Sequence, residues 1–357
     1  MVASYTLSRP SELWQPSREI IARVLDTTVS EITLKETYEG SFSTIVRFQL
    51  GKEDYALRIR FRESDFGFEK IVKESFAILV LNNHDLSDQK LRTVIQKLYQ
   101  QQYCGFTEHP LVGRLYYSDW SKRFDILPYT FCIYQWKQGK PLYSVPTSKN
   151  FNSAGRLLAK FHQRSFSSCY SSILDIASKP LSLHDSILSV FTTQYEKALA
   201  NGGSKVILDQ LTEWIRFKIK KLPETCRPVF CHYDFSGSNL IVSEDDATIS
   251  ALDFDNWKVS ICEDDFPKLF HWTVVDPVVN KRMPSRKHIE DFMEGYRSEG
   301  GLVDECLLHL KEAEWLLRVY AHSLYRELSN LREYQQSSFP SSCYYEQAIS
   351  VLLETIR

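Results

Sequence analysis

Long apolar runs are missing from this chain. No stretch of its 357 residues approaches the about 18 uninterrupted apolar residues that read as a membrane span. Met1 to Gln15 carries no apolar signal core. The expectation is therefore a cytoplasmic protein with no membrane partner. Cysteine pairs are missing too. The eight cysteines, at 104, 132, 169, 226, 231, 262, 306 and 343, form no Cys-x-x-Cys, and none is grouped with histidine at zinc spacing. That excludes a zinc ribbon and points to reduced, mostly buried thiols. Charge of one sign is not in excess: 43 Lys and Arg face 45 Asp and Glu, a net charge of −2. A protein that holds nucleic acid by neutralising phosphates carries a basic surplus, so no nucleic-acid partner is expected. There is no internal repeat, low-complexity segment or long block of like charge.

What is present is an ordinary globular composition, 43% hydrophobic and 25% charged, with 19 Tyr and 21 Phe to fill a deep core. The length allows two domains. Ile20, Ile21, Val24 and Leu25 have helical spacing over 17–26. Three strand-like runs follow, 32–38, 44–50 and 55–60, with Gly40 and the polar turn Gly51-Lys52-Glu53-Asp54 between them, as in an antiparallel meander. Phe68, Ile71, Val72, Phe76 and Leu79 share one face of a helix. The stretch 82–125 is polar and resists parsing, apart from a helix pattern from Leu91 to Tyr99. Phe131-Cys132-Ile133-Tyr134 reads as a buried strand. Beyond Gln138-Gly139-Lys140-Pro141 the chain turns helical: a stripe of Leu157, Leu158 and Phe161, two patterns through 184–221, and three more near 286–299, 303–331 and 343–356. Gly300-Gly301 separates the first two of these three. The reading is an α+β protein of two lobes, 1–135 and 136–357, with a hinge about 131–139.

One segment interrupts the helical half and carries the most chemistry. Val229 to Cys231 is a strand. His232-Tyr233-Asp234 and, five residues later, Asn239 occupy a loop. Leu240 to Val242 and Ala251-Leu252 are strands, and the second ends in Asp253. Phosphoryl transfer asks a protein for positioning, charge neutralisation and a base for the incoming hydroxyl. Asp234 is the candidate base, with His232 holding the loop by hydrogen bonds. Asn239 and Asp253 offer hard oxygen ligands for Mg²⁺. Asp and Asn are also common turn residues, but this strand-bounded combination is hard to reach by turn chemistry alone.

The N-terminal half adds support of a weaker kind. Gly40-Ser41-Phe42-Ser43 lies between two strands, where backbone N–H groups can cradle phosphates, although it lacks a full glycine triplet and reads equally as a hairpin turn. Arg58 on the third strand is placed to hold the α/β-phosphates by a bidentate fork, and reads as readily as a solvent-facing residue. On the next helix Glu74 is the preferred partner to orient it, with Glu69 second. The two are five residues apart and cannot point the same way. Gln135 and Trp136 follow the buried strand, where backbone groups can read an adenine edge and Trp136 can equally be packing. Asp255, Glu263 and Asp264 are acceptor-site candidates, since carboxylates at a pocket rim would attract a cationic acceptor. A solvated acidic turn is the plainer reading of all three.

These residues resemble the aminoglycoside phosphotransferase family, a branch of the protein-kinase-like fold. The resemblance rests on His232-x-Asp234-x4-Asn239, Leu252-Asp253-Phe254-Asp255, the strand Tyr55 to Ile59, Gln138 to Leu142, Leu157 to His162, and Cys262 to Phe266. It runs in order from about Ile32 to Leu324. Glu39-Gly40-Ser41, Tyr55 to Ile59, Gly67-Phe68 and Glu314 to Leu328 look closest to the hygromycin B phosphotransferase subgroup. The resemblance implies an N-lobe antiparallel sheet with a helix that binds ATP (or GTP), and a mainly helical C-lobe with a catalytic loop and β-hairpin. It also implies Mg²⁺, an aminoglycoside or similar polar amine or sugar as acceptor, and a role for Asp265 in bracing the loop. A metabolic kinase of the same fold, acting on choline, ethanolamine, homoserine, a sugar or a specialised metabolite, is the alternative. A catalytically silent binding module is disfavoured by the joint presence of Asp234, Asn239 and Asp253. A protein kinase is disfavoured by the missing Asp-Phe-Gly, where Asp255 stands in the Gly position.

Overall fold

The computed structural model describes residues 10–39, 43–60, 67–105, 107–109, 111–167, 183–222, 226–245, 248–271, 285–329 and 341–355. The chain forms two compact units, Met1–Lys140 with Ile241–Trp257, and Pro141–Leu240 with Lys258–Arg357. The single cut near residue 136 read from the sequence has no place for the return of 241–257 to the first unit.

The first unit opens with helix α1 (Pro10–Val24), then strands β1 (Ile32–Glu39), β2 (Ser43–Leu50) and β3 (Glu53–Arg60). Helices α2 (Gly67–Asn82) and α3 (Asp88–Gln101) follow, then strands β4 (Tyr103–Cys104), β5 (Leu115–Asp119) and β6 (Thr130–Gln135). The strands make one antiparallel sheet in the order β1-β2-β3-β6-β5-β4. Alternation along the pleat gives the sheet two faces. On one, Val46, Phe48, Leu57, Ile59, Phe131 and Ile133 bury completely in a cluster with Leu13, Ile20 and Ile21 of α1. On the other, Arg58 lies in register between Ile45 and Cys132. There Ser75 of α2 hydrogen-bonds Ser118 of β5, and the Phe76 ring meets Trp120 edge-on. Strands β4 and β5 hide in the segment that resisted parsing. β4 has two residues, and the register shift between Leu115 and Tyr117 breaks the period-two pattern that marks a strand.

The second unit contains helices α4 (Ser148–His162), α5 (Leu183–Ala200), α6 (Lys205–Ile219), α7 (Phe266–His271), α8 (Arg286–Ser298), α9 (Glu305–Leu328) and α10 (Ser342–Thr355). α4 and α8 touch backbone to backbone, because each offers a glycine at the crossing. A Cβ on Gly155 would sit 2.0 Å from the Phe292 carbonyl oxygen, and one on Gly295 2.0 Å from that of Asn152. α5, α6, α9 and α10 share a core that includes Ile187, Leu211, Leu316 and Ile349. Val229–Cys231 and Lys258–Ser260 pair as a short antiparallel ribbon that frames the loop carrying Asp234.

Candidate functional site

In the first unit the predicted residues gather around Arg58. Its guanidinium lies 2.8 Å from both carboxylate oxygens of Glu74, 2.9 Å from Asp253 Oδ1 and 3.6 Å from Asp255 Oδ2. Ser43 Oγ accepts from Arg58 Nε at 3.3 Å. Burial works against the charge on Arg58, but Glu74, Asp253 and Asp255 together raise its pKa well above the ordinary value. Burial likewise pushes the Glu74 carboxyl up, against the attraction of Arg58. Glu74 is thus the partner the sequence left undecided against Glu69. Gly40, Ser41 and Phe42 lie outside the described residues. Asp253 sits in the left-handed region at φ 64°. Such a backbone costs about 1–3 kcal/mol and persists only where neighbours hold it. Here Asp255 pairs with Arg60 and with Lys70 at 3.4 Å, and Trp257 Nε1 donates to the Lys73 carbonyl, tying both sides of the turn to β3 and α2.

In the second unit the loop carrying Asp234 hangs on one carboxylate. Asp265 accepts the backbone N–H of His232 at 2.8 Å and that of Tyr233, and meets His162 Nε2 at 3.1 Å. The other nitrogen of His162 meets the Tyr296 hydroxyl at 2.8 Å. His162, Cys231 and Asp265 are close enough to suggest a metal cluster, but these hydrogen bonds give Asp265 and His162 another task. His232 is fully buried, and its Nδ1 accepts the Asp234 N–H at 3.2 Å, so it holds the loop as the sequence reading expected. Tyr233 is left-handed, at φ 62°. Arg318 donates to its hydroxyl at 2.8 Å, and Lys258 lies 3.7 Å over its ring. Asn239 Nδ2 donates to the Asp234 carbonyl at 2.9 Å, which turns the amide so that its oxygen is the end offered to a cation. Asp234 itself is ion-paired with Lys268 on α7. Sequence reasoning missed Lys268. The only signal was its position three residues after Asp265, at the start of a helix that Asp265 precedes.

Several expectations change. Asp255 and Asp264 are spent on internal ion pairs, and Glu263 lines a cavity to which Asp234, Asn239 and Asp253 do not contribute. Asp255 is 4% exposed and neutralised by Arg60 and Lys70. The side chain of Asp264 is 3% exposed, between Lys258 at 2.9 Å and Lys311 at 3.0 Å. Glu263 is 4% exposed and accepts the Asp304 N–H at 2.9 Å. Asp255 and Asp264, each buried between cations, have no face to turn to an acceptor. At the hinge, the Gln135 N–H donates to the Arg114 carbonyl at 2.8 Å and the Trp136 N–H to that of Asp54 at 2.9 Å, so neither donor is left for an adenine edge. The Trp136 ring stacks on Tyr38 at 5.7 Å beneath Arg47, which is packing.

The donor set fits the groups the motif implies. Asn239 and Asp253 are hard oxygen donors suited to Mg²⁺. The Asp253 side chain stays 34% exposed while Arg58 holds one of its oxygens. Arg58, fixed in place and positive, suits a phosphate.

Residues 112–279 match the model of a family described as the phosphotransferase enzyme family. Over nearly the whole chain the structure is similar to the aminoglycoside phosphotransferase APH(4)-Ia: 12% identity, TM-score 0.57, covering 96% of this chain and 98% of that one. An ethanolamine kinase of Plasmodium vivax matches with 14% identity and TM-score 0.58, over 98% of this chain and 90% of that one. A spectinomycin phosphotransferase, APH(9)-Ia, in complex with ADP and spectinomycin, matches with 13% identity and TM-score 0.50, over 89% and 93%. The curated proteins contain no match. At such identities the structures establish a shared kinase-like fold, and they do not single out the hygromycin subgroup.

Proposed function

We propose that the chain moves a phosphoryl group from ATP (or GTP) with Mg²⁺ to a hydroxyl of a small polar amine or sugar, a reading supported by the match of residues 112–279 to the phosphotransferase enzyme family and by the shared kinase-like fold. Asp234 accepts a hydrogen bond from the acceptor hydroxyl and takes its proton as the oxygen attacks in line. Lys268 holds the Asp234 carboxylate between turnovers. Asn239 and Asp253 would hold the metal, which when bound supplies charge neutralisation on the phosphates. Arg58, oriented by Glu74, binds phosphate oxygens.

The observation that carries this reading is the tie between Asn239 and the Asp234 backbone. One hydrogen bond sets the position of the base and the orientation of a metal-ligand oxygen together, and a plain turn has no need of that coupling.

Two acceptor classes are open. Aminoglycosides follow from the sequence resemblance. Ethanolamine- or choline-like alcohols are supported by a specific observation: Asp255 and Asp264, two of the acidic residues expected to attract a polycation, are buried and ion-paired internally. Mg²⁺-dependent ADP release with aminoglycosides, amino alcohols and sugars, and with Asp234→Ala as control, decides between them. Turnover with one class, reduced about 10²- to 10⁴-fold in the variant, is the expected result. Equal ADP release by wild type and Asp234→Ala would remove Asp234 from the role of base.

A further inference from the structure

Cys262 to Asp265 form one short turn in the second unit, and its three consecutive carboxylates meet three different fates. Asp264 is neutralised by Lys258 and Lys311. Asp265 is consumed by two backbone amides and His162. Glu263 is as buried as they are, yet among the described residues no Lys, Arg or His nitrogen lies within ion-pair distance of it: the Asp304 amide and the Cys262 thiol, both neutral, hydrogen-bond it, and His162 attracts it only from farther away. Burial pushes its carboxyl up accordingly. A carboxylate kept from water without a countercharge is costly unless it takes a proton or a cation.

Glu263 lines a cavity of about 420 Å³, within the size range of small-molecule sites. His162, Tyr296, Gly301, Leu302 and Cys226 line it too. The cavity is walled within the second unit, and none of the proposed catalytic or metal-binding residues lines it. We infer that this cavity is an effector site for a small organic cation, a protonated amine whose charge pairs with Glu263 and whose carbon skeleton fills the space beside Tyr296.

Occupancy of the cavity reaches the Asp234 loop through contacts already described. The cavity wall includes both the Tyr296 ring and His162. Tyr296 holds His162, His162 holds Asp265, and Asp265 holds the amides of His232 and Tyr233. Gly301 lies flat on the Tyr296 ring, where a Cβ would come within 2.3 Å of a ring carbon, so a ligand that presses on the glycine pair presses on the first link of that chain. A cation opposite Glu263 fixes this wall and with it the loop.

The test uses the full chain without nucleotide, so its outcome is separate from that of the phosphotransfer reading. Butylamine, putrescine and choline at pH 7 are titrated by calorimetry, with 1-butanol and butyrate as neutral and anionic controls. Backbone amide exchange of His232 and Tyr233 is followed in parallel. At least one amine is expected to bind while the controls do not, and to slow exchange at both amides. Glu263→Gln, which keeps the shape and removes the charge, is expected to weaken binding roughly thirtyfold or more. Leu302→Trp, at a position 83% exposed at the cavity wall, is expected to block binding without touching the core. Absence of amine binding, binding unchanged in both variants, or binding with no effect on the two amides would each overturn the proposal.

Discussion

Around Asp253 the first unit buries Arg58, Glu74, Arg60 and Asp255 together and balances charge with charge. Around Asp234 the second unit uses one carboxylate, Asp265, to gather backbone amides and a histidine. The two arrangements respond differently to damage. An ion network in a poorly solvated setting fails as a whole, since removing one member leaves an uncompensated buried charge. A loop held by backbone donors loses bonds one by one, because each amide is a separate neutral group. The charged cluster should therefore show its damage in stability, and the hydrogen-bonded loop in catalysis.

The contrast can be broken by experiment. Arg58→Ala leaves Glu74, Asp253 and Asp255 without their shared cation and is expected to destabilise the protein by about 3–5 kcal/mol, read from denaturant midpoints. A loss under about 1 kcal/mol would mean that water already screens the cluster. Asp265→Asn keeps shape but removes the charge that the His232 and Tyr233 amides share. It is expected to cost about 1.5–3 kcal/mol and to lower kcat more than it raises the KM for nucleotide. An unchanged kcat would make the brace purely structural.

The acidic turn sharpens the comparison through pH. Burial works to raise the Asp264 carboxyl, but Lys258 and Lys311 overrule it and hold it well below the usual carboxylate range. Its stabilisation is therefore complete above the unfolded value of about 4 and is lost as pH falls through the folded value. The stability gap between wild type and Asp264→Asn should be wide at pH 7 and narrow toward pH 3. Glu263 is shifted the other way, so its contribution is greatest in acid and is lost as pH rises through the folded value. Glu263→Gln should gain on wild type as pH rises above the unfolded carboxylate value, and parallel curves for the two variants would contradict both assignments. The smallest effect belongs to the exposed pair of Lys205 and Asp209 on α6. Lys205→Ala should leave the denaturant midpoint unmoved, as expected of a solvated pair.

Much of this was legible in the sequence where local pattern and local geometry coincide. Strands β2 and β3 alternate, β6 is a short apolar run between polar neighbours, and the helices carry apolar stripes. His232, Asp234 and Asn239 lie within eight residues of one another, so their loop could be read as a unit. β5 was not legible, because its bulge erases the alternation. The fate of Asp255, Glu263 and Asp264 was not legible either. An acidic run looks the same whether water or Lys258, Lys311 and Arg60 surround it.

The sequence by itself determined which chemistry was available: a candidate base, two candidate oxygen ligands, a candidate phosphate-binding cation, and the order in which strands and helices carry them. Tertiary structure alone decided which charges are spent on one another. Arg58 meets Asp253 across 195 residues and Asp264 meets Lys311 across 47. It also decided which carboxylate, Glu263, is left facing a cavity. Residue type fixes what a side chain can bond, but its partners depend on folding distant segments together, and burial then sets how strongly each charge is felt.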